Sequence, residues 1–471
     1  MKIAFLTFGC KLNYAETSTY ERGFVENGLT VVPWEEAADA YLVNTCSVTE
    51  RAEKKCRNAI RRMHRLSPEA RIIVTGCYAE LRKESLQAMP GVALVFGAKE
   101  KTKVVKDTLA LLRSGDGTAG AGLAAEPADG RPQVPGIKAA AAGNGAAGAA
   151  VGNGAANGAA LAGAVRAGAG EGDILEAYSS GERTRSFLKV QDGCNNFCAY
   201  CTVPYARGLS RNIPIADAVA QAGRIAAEGI KEIVITGVNT GDFGRSTGES
   251  FLELLKRLEE VEGIERYRIS SIEPNLITED IIRWIASGTK FQPHFHIPLQ
   301  SGSDTVLKRV GRKYSTSFFE EKVALIREVM DPGEGTPEAR LKPYVFFGID
   351  VIAGLPGETP ELFEETFRFL AERIRPAFIH VFPYSRRPGT PAAGWKDQVR
   401  DGVKTERVER LERLCADLHA SFVEKNRGRH SKVLWESDLK DGMMGGYTGN
   451  YIRVERPWDQ ARVNTIEDVI I

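Results

Sequence analysis

The sequence predicts an α/β protein in three parts: an N-terminal parallel-sheet domain, a central partial (βα)6 barrel of the TIM type and a small C-terminal β-barrel. Short apolar strand patterns alternate with amphipathic helical patterns on both sides of a long alanine- and glycine-rich stretch, which predicts the first two parts. Only short strand patterns follow the last long helix, which predicts the third part. We expect domains at residues 1–113, 182–427 and 428–471, with a linker at 114–181.

In the N-terminal part, strand patterns at residues 2–8, 40–44 and 71–75 alternate with helical patterns at 15–27 and 50–66. Each of these strands is followed directly by a cysteine, namely Cys10, Cys46 and Cys77. Because the carboxyl ends of parallel strands meet at one edge of a sheet, we expect the three sulfurs to converge.

The stretch between the two α/β patterns has a different composition. Residues 139–172 are nearly all alanine, glycine and asparagine, and they include no aromatic side chain. Such a segment offers little apolar surface to bury, so it predicts a disordered or weakly helical linker.

In the central part, strand and helix patterns alternate in the order of a partial barrel, whose chemistry is expected at the C-terminal strand ends. The strands are predicted at residues 186–190, 232–236, 267–271, 294–298, 344–352 and 378–383. The helices are predicted at residues 213–228, 250–262, 315–330 and 359–373. A last helix at 403–425 precedes short strands at 432–436, 446–454 and 468–471.

Composition limits the kinds of partner. The 471 residues carry 62 Lys and Arg against 61 Asp and Glu, so a nucleic acid would need a local basic patch. No apolar run reaches the roughly 20 residues that span a bilayer, and the N-terminus does not resemble a signal peptide, so no membrane partner and a cytoplasmic location are expected. In a reducing cytosol the eight cysteines indicate metal binding, catalysis or burial rather than disulfides.

The strongest chemical signal is a C-x3-C-x2-C run formed by Cys194, Cys198 and Cys201 on a loop directly after a strand. Three thiolates can hold a cubane iron–sulfur cluster and leave its fourth iron open for a ligand. A zinc site normally has four protein ligands, and no fourth Cys or His closely follows Cys201. The spacing therefore favours an iron–sulfur cluster over zinc or simple burial.

This loop resembles the radical S-adenosylmethionine superfamily, whose CxxxCxxC motif it carries. The resemblance implies that the open iron binds the amino and carboxylate groups of S-adenosylmethionine, and that one-electron reduction yields a 5′-deoxyadenosyl radical. Within that superfamily, motifs along nearly the whole chain are similar to those of the methylthiotransferases. They are KVQDGCNNFC at 189–198, PYARG at 204–208, TGVNTG at 236–241, HIPLQSGS at 296–303, GLPGET at 354–359 and YSRRPGT at 384–390.

Four residues at strand ends are candidate contacts to S-adenosylmethionine. Gly237 and Asn239 lie where the backbone can approach the methionyl moiety, although an ordinary turn is the alternative. Glu273 could bond a ribose hydroxyl or pair with a basic neighbour, and Gln300 could line the pocket or cap the next helix. Arg312 could face phosphate or solvent.

Two histidines invite a metal interpretation that the pattern does not favour. His294 and His296 lie two residues apart on a predicted strand, so they share one face, and packing is favoured over metal ligation. No residue in the sequence is assigned as a general base.

The segments around the other three cysteines resemble the N-terminal domain of the methylthiotransferases. They read TFGCKLN at 7–13, VNTCSVT at 43–49 and VTGCY at 74–78. The resemblance implies that Cys10, Cys46 and Cys77 hold an auxiliary cluster linked to sulfur delivery, with core burial as the alternative. The expected cofactors are therefore two 4Fe-4S clusters and S-adenosylmethionine. Cys56 and Cys415 lie inside helical patterns and are expected to be structural.

The C-terminal run GYTGNYIRV at 446–454 resembles the TRAM domain, a small barrel that binds RNA. Tyr447, Tyr451 and Arg453 could stack on bases and contact phosphate, or they could belong to a plain hairpin. A second basic surface, either for tRNA phosphates or simply solvated, is expected on one helix face that carries Arg57, Arg61 and Arg65.

The residues after Cys10 and Cys46, with Glu16, look most like the branch that modifies N6-threonylcarbamoyladenosine in tRNA. The resemblance implies transfer of a methylthio group to C2 of the adenine just 3′ of the anticodon, with two uses of S-adenosylmethionine. Its expected partners are a tRNA anticodon stem-loop, an electron donor and a sulfur source. The alternatives are action on N6-isopentenyladenosine, action on a ribosomal-protein aspartate, or a non-catalytic RNA-binding protein that holds structural metal.

Overall fold

The structure is a computed structural model that describes residues 1–47, 49–114, 174–180, 184–333 and 337–471. The predicted linker core at 139–172 lies outside these residues. Among the described helices, none is long and apolar enough to cross a membrane.

The N-terminal part is a parallel sheet of five strands in the order β2-β1-β3-β4-β5. The strands are β1 Lys2–Thr7, β2 Thr30–Val32, β3 Ala40–Thr45, β4 Arg71–Gly76 and β5 Val92–Val95. The helices are α1 Lys11–Glu26, α2 Glu50–Leu66, α3 Cys77–Leu81, α4 Lys83–Gln87 and α5 Val104–Ser114. The sequence predicts the three inner strands, but it misses β2 and β5, which are short and partly exposed at the sheet edges.

The start of α1 differs from the prediction. The helix begins at Lys11, immediately after Cys10, rather than at residue 15. Cys10 occupies the N-cap position with an extended backbone, so the polar run that follows it is already helical. The first cysteine therefore lies at the join of β1 and a 16-residue helix.

The central part contains six parallel strands, as predicted. They are β7 Arg185–Lys189, β10 Glu232–Thr236, β11 Arg266–Ile269, β12 His294–Gln300, β13 Phe346–Ala353 and β14 Phe378–Pro383. Single bridges, from Tyr267 to Phe291 and from Ser271 to His296, join the β7-β10-β11 group to the β12-β13-β14 group. The six strands thus form one curved partial barrel, with the large apolar cluster packed between it and its helices.

Further elements surround this barrel. The short strands are β6 Ala177–Tyr178, β8 Gln191–Asp192 and β9 Arg211–Asn212. The helices are α6 Val203–Arg207, α7 Ile215–Ala227, α8 Phe251–Glu259, α9 Glu279–Ala286, α10 Asp304–Val310, α11 Thr316–Met330, α12 Pro360–Arg368 and α13 Asp401–Asn426. Strand β6 lies inside the stretch expected to be linker, and it pairs antiparallel with β7.

The C-terminal part is a curled antiparallel sheet in the order β17-β16-β15-β18. Its strands are β15 His430–Lys440, β16 Met443–Thr448, β17 Arg453–Pro457 and β18 Ile466–Ile470. The prediction of one strand at 446–454 is wrong, because the chain reverses after Thr448, where the Tyr451 N–H donates to the Thr448 carbonyl. Tyr451 has a φ of +58° at this reversal, which a continuous strand does not allow.

Candidate active site

The first cysteine triad, Cys194, Cys198 and Cys201, lies on the loop between β8 and α6. Glycine is required at Gly193, where φ is +76° and a Cβ would lie 2.0 Å from the Leu209 carbonyl oxygen. Each of the three sulfurs accepts one N–H. The donors are the Asn196 amide to Cys194 (3.5 Å), the Arg312 guanidinium to Cys198 (3.3 Å) and the Val203 amide to Cys201 (3.4 Å).

These sulfurs are poor free nucleophiles but suitable metal ligands. Burial raises the pKa of the Cys194 thiol to about 12, and it raises the pKa of Cys201 as well. A metal ion that binds such thiols displaces their protons. Because an N–H already points at each sulfur, the loop is arranged to stabilise thiolates, as iron–sulfur ligands require.

The sulfurs of each triad are too far apart to surround a single zinc ion as they stand. Ligands on one zinc lie at most about 4.6 Å apart, which is twice the Zn–S bond length. Among the described residues, the group whose ligand atoms all lie within 4.8 Å of one another is His296, Asp350 and His380. Neither cysteine triad meets that limit, so its three sulfurs do not all lie as close together as the ligands of one zinc ion do.

The second triad lies where the sequence predicts it, at the carboxyl ends of β1, β3 and β4. Cys10 is exposed, whereas Cys46 and Cys77 are buried. Gly9, at a φ of +110°, lets the backbone pass beside Cys46, because a Cβ there would lie 3.0 Å from the Cys46 sulfur. The prediction that the parallel strands bring these cysteines to one edge is therefore confirmed.

Arg207 joins the two triads. It is the last residue of α6, the helix that follows Cys201, and its Nε donates to the Cys77 sulfur at 3.2 Å. Its other nitrogens contact Asn13 at 2.5 Å, Asp192 at 2.8 Å and Glu16 at 3.1 Å. One side chain of the barrel therefore contacts a ligand residue and two helix residues of the N-terminal part.

A buried ion network surrounds this contact. Its members, each at most 3% exposed, are Glu16, Lys101, Lys189, Asp192 and Arg207. Burial alone would raise the pKa of Glu16, but Lys101, Lys189 and Arg207 outweigh it and hold the pKa well below its usual range. The network therefore stays ionised, and it fixes the N-terminal part against the barrel.

Three of the four predicted S-adenosylmethionine contacts, Gly237, Asn239 and Glu273, lie close together just after β10 and β11. A Cβ on Gly237 would lie 2.8 Å from the Gln191 side-chain oxygen, so the backbone runs close to Gln191. That oxygen accepts the Asn239 amide at 3.0 Å, and the Asn239 side chain accepts the Glu273 amide at 3.3 Å. Gln300 ends β12 with a φ of +72°, which places this residue at the same rim of the barrel.

Glu273 and Arg312 form a buried pair beside Cys198. The Arg312 Nη2 atom donates to both Glu273 carboxylate oxygens, at 2.7 and 2.6 Å, while Nη1 reaches the Cys198 sulfur. The prediction that Arg312 faces phosphate or solvent is wrong, because the whole guanidinium is enclosed. Of the two roles predicted for Glu273, a bond to a ribose hydroxyl or a pair with a basic neighbour, the structure shows the pair, with Arg312 as the neighbour.

His296 and its neighbours line the interior of the barrel. The His296 Nε2 atom lies 2.7 Å from the Asp350 carboxylate, and its ring stacks on His380 at 4.9 Å with an interplanar angle of 7°. The ligand atoms of His296, Asp350 and His380 all lie within 4.8 Å of one another, so packing rather than metal ligation stays a prediction of the sequence here. The three side chains form a polar surface in the barrel.

The C-terminal tyrosines contact the barrel rather than open solvent. The Arg268 guanidinium lies 3.7 Å from the Tyr451 ring centre, and it donates to the carbonyls of Thr448 and Gly449. Tyr447 likewise receives the Arg185 guanidinium at 5.1 Å. Both rings are only partly buried, and Arg453 is exposed.

The basic face of α2 is only partly free. Arg57 donates to the Tyr78 hydroxyl at 2.7 Å, so it belongs to the packing beside Cys77. Arg61 and Arg65 are exposed on the same helix. The sequence also missed the contacts of Gln191 and Arg207. Both residues lie in motifs that flank the first triad. That position is the one feature of the sequence that could have indicated their contacts.

Known protein families match both parts of the chain that contain a cysteine triad. A family profile described as "Uncharacterized protein family UPF0004" matches residues 2–97, and one described as "Radical SAM superfamily" matches residues 188–370. A solved structure of the radical S-adenosylmethionine methyltransferase TsrM from Kitasatospora setae, with cobalamin and a 4Fe-4S cluster bound, has a TM-score of 0.53. It is 15% identical and covers 83% of this chain and 74% of that one, so it supports the fold.

Curated relatives are similar over nearly the full length. The threonylcarbamoyladenosine tRNA methylthiotransferase MtaB of Bacillus subtilis is 36% identical over 96% of this chain and 89% of its own. The MtaB protein of Aquifex aeolicus is 33% identical over 97% of both chains. With both cysteine triads in place and similarity of this extent, the chain belongs to the threonylcarbamoyladenosine tRNA methylthiotransferase family of radical S-adenosylmethionine enzymes.

Proposed function

We propose that this protein transfers a methylthio group to C2 of N6-threonylcarbamoyladenosine, just 3′ of the anticodon in tRNA. The single observation that carries the proposal is the junction of two cysteine triads through Arg207, because methylthiolation requires a radical source and a sulfur source in one active site. The names of the MtaB relatives indicate which nucleoside is modified, namely threonylcarbamoyladenosine. Action on N6-isopentenyladenosine or on a ribosomal-protein aspartate is not favoured by them.

The residues divide between two cofactor sites. Cys194, Cys198 and Cys201 would hold the cluster that binds and cleaves S-adenosylmethionine, and Cys10, Cys46 and Cys77 would hold the auxiliary cluster. When bound, these groups supply the radical and the sulfur chemistry. Gly237, Asn239, Glu273 and Gln300 would contact S-adenosylmethionine.

The chain's own residues then have three tasks. The hydrogen bonds of Asn239 to Gln191 and Glu273 hold the S-adenosylmethionine rim of the barrel in shape. The buried ion network keeps the two cluster sites at a fixed separation. The polar interior of the barrel around His296 would contact the adenine base. An anticodon-loop base is already unpaired, so no base pair has to be broken for it to bind.

We divide the chain into an N-terminal cluster domain at 1–113, a linker at 114–181, a radical domain at 182–427 and an RNA-binding module at 428–471. An electron donor, a sulfur source and a tRNA anticodon stem-loop are the partners that this reaction needs. Because tRNA is its substrate, we place the protein in the cytoplasm.

Iron analysis of the anaerobically reconstituted protein tests this proposal. The parent should bind about eight irons and form the methylthiolated nucleoside on tRNA that carries N6-threonylcarbamoyladenosine. Cys10→Ala should bind about four irons and still cleave S-adenosylmethionine, but it should form no methylthiolated nucleoside. Cys415→Ala is the matched control, because Cys415 packs on β14 far from either triad and should change neither result.

Three outcomes would contradict the proposal. A colourless protein that binds zinc would indicate the non-catalytic RNA-binding alternative. Eight irons retained in Cys10→Ala would remove the second triad from cluster binding. Product formed only on tRNA that carries N6-isopentenyladenosine would assign the other tRNA branch.

A further inference from the structure

Arg207, at the end of the helix that follows the first cysteine loop, reaches a sulfur of the second triad. It lies six residues after Cys201 and donates to Cys77 at 3.2 Å, although the two residues are 130 positions apart in sequence. The guanidinium is fully enclosed, at 2% exposure, so water does not compete for this hydrogen bond. A donor fixed in a dry site acts strongly on the group that it faces.

The charges around Arg207 do not balance without the sulfur. The buried network contains three cations, Lys101, Lys189 and Arg207, against two carboxylates, Glu16 and Asp192. An unpaired charge in a protein interior is strongly unfavourable. Arg207 directs its Nε–H at Cys77, whose thiolate on a cluster would add a negative charge beside this network.

The shape of the arginine side chain also matters. Its planar fork serves four partners at once: Cys77 through Nε, Glu16 and Asp192 through Nη1, and Asn13 through Nη2. Asn13 in turn donates to the carbonyls of Phe8 and Thr45, which precede Cys10 and Cys46. Arg207 therefore acts on all three segments that carry the second triad. A lysine could keep the charge, but it could not make these contacts together.

We propose that Arg207 is a positioning residue for the auxiliary cluster: it holds the Cys77 sulfur in its ligating state, makes the cluster easier to reduce and fixes it against the S-adenosylmethionine loop. Hydrogen bonds and positive charge beside a cluster sulfur stabilise the more negative, reduced state. The inference rests on the proposed cluster at Cys10, Cys46 and Cys77, but it does not depend on which tRNA nucleoside is modified.

An EPR-monitored redox titration with dithionite as reductant tests this role. It uses the full chain with Cys194, Cys198 and Cys201 replaced by Ala, so that only the auxiliary cluster is observed. In that background, Arg207→Gln should make the cluster harder to reduce, with the reduced-to-oxidised ratio at a fixed potential falling about tenfold, or about 59 mV for one electron. Arg207→Lys should bind the cluster, and its reduction potential should lie between the potentials of the parent and of Arg207→Gln.

Arg211→Gln is the matched control. Arg211 lies four residues further on and 4.0 Å from Asp192, and no described contact joins it to a triad sulfur. Removing its positive charge should leave the potential and the EPR line shape near those of the parent. In the chain with both triads intact, Arg207→Gln should lower methylthiolation by about 10- to 100-fold, as is typical when a residue that supports a metal ligand is lost.

The outcomes separate this inference from the proposed function. If the triple-alanine background itself binds no iron, the cluster assignment fails and the inference fails with it. If that background binds about four irons but Arg207→Gln and Arg207→Lys titrate like the parent, the inference alone is overturned. If Arg207→Gln does not fold, as judged by circular dichroism, Arg207→Lys decides, and an unchanged potential in that variant overturns the inference.

Discussion

At the residue scale, Glu273 and Arg312 form a buried ion pair at the rim where we propose that S-adenosylmethionine binds. Burial raises the pKa of Glu273, and Arg312 works against that rise through its charge and hydrogen bonds. Burial has the larger effect on the pKa, and the Arg312 guanidinium donates to both carboxylate oxygens at 2.7 and 2.6 Å. Loss of either partner would leave the other charge buried and unpaired.

We therefore predict that Arg312→Met lowers the free energy of unfolding of the reconstituted protein by about 3–5 kcal/mol. The double variant Glu273→Gln with Arg312→Met should recover most of that loss, because it removes both charges together. Thermal or denaturant unfolding monitored by circular dichroism measures both. A double variant as unstable as the single one would show that the pair does not act as a charge pair.

The cysteines illustrate what a sequence can predict at this scale. The positions of Cys10, Cys46 and Cys77 after parallel strands predict that they meet at one edge of the sheet, and the structure confirms that placement. Their role as cluster ligands, and that of Cys194, Cys198 and Cys201, stays a prediction. The contacts of Arg207 and Arg312 were not predicted, because the sulfur partner of each lies more than 100 positions away in the chain. Local patterns indicate candidate ligands, but they do not indicate the side chains that contact them from distant parts of the chain.

At the element scale, the C-terminal sheet docks on the barrel through charged strand residues. Glu232 of β10 contacts Arg268 and Arg266 of β11 at 2.9 Å, and Arg185 of β7 at 3.9 Å. Burial alone would raise the pKa of Glu232, but these arginines outweigh it and hold the pKa at about 2. Arg268 then donates to the carbonyls of the turn between β16 and β17.

This geometry predicts that Glu232→Gln destabilises the protein by about 3 kcal/mol or more, because three arginines lose their shared anion in a buried site. Glu436→Gln is the matched control, since Glu436 pairs with Arg185 at a more exposed position and should lose no more than about 1 kcal/mol. Urea unfolding curves of the two variants give the comparison. Equal losses would contradict a special role for Glu232.

The strand prediction failed here for a related reason. The run at 446–454 contains aromatic and β-branched residues typical of a strand, but the turn after Thr448 is set by Arg268 and Asn450, which satisfy its backbone and side-chain groups. The edge strands β2 and β5 were missed because three or four residues give too little periodicity. Long inner elements were predicted well, because their patterns are repeated over several turns or pleats.

At the scale of the whole molecule, the two cluster-bearing parts are held by direct packing. Besides the ion network, Arg22 of α1 lies 3.8 Å from the Tyr178 ring centre of β6, and Ser18 contacts Ser180. These contacts join the N-terminal sheet to the barrel edge. The chain between residues 114 and 174 is therefore not needed to set the distance between the clusters.

Deletion of residues 139–172 should accordingly keep methylthiolation within about threefold of the parent, because packing rather than the linker defines the site. The variant Lys189→Met disrupts the ion network but keeps the linker. It should lose far more methylthiolation activity than the deletion variant does. Product formed per hour on modified tRNA measures both. Complete loss on deletion, with iron content unchanged, would contradict this view of the linker.

The central claim is that the two triads act together on N6-threonylcarbamoyladenosine of tRNA. Nucleoside mass spectrometry of total tRNA tests it most directly, with a strain that lacks the gene compared with the same strain complemented by the parent or by Cys10→Ala. We predict that the methylthiolated threonylcarbamoyl nucleoside disappears in the deletion strain, returns with the parent and stays absent with Cys10→Ala. Unchanged tRNA together with a changed ribosomal-protein mass in the deletion strain would contradict the account.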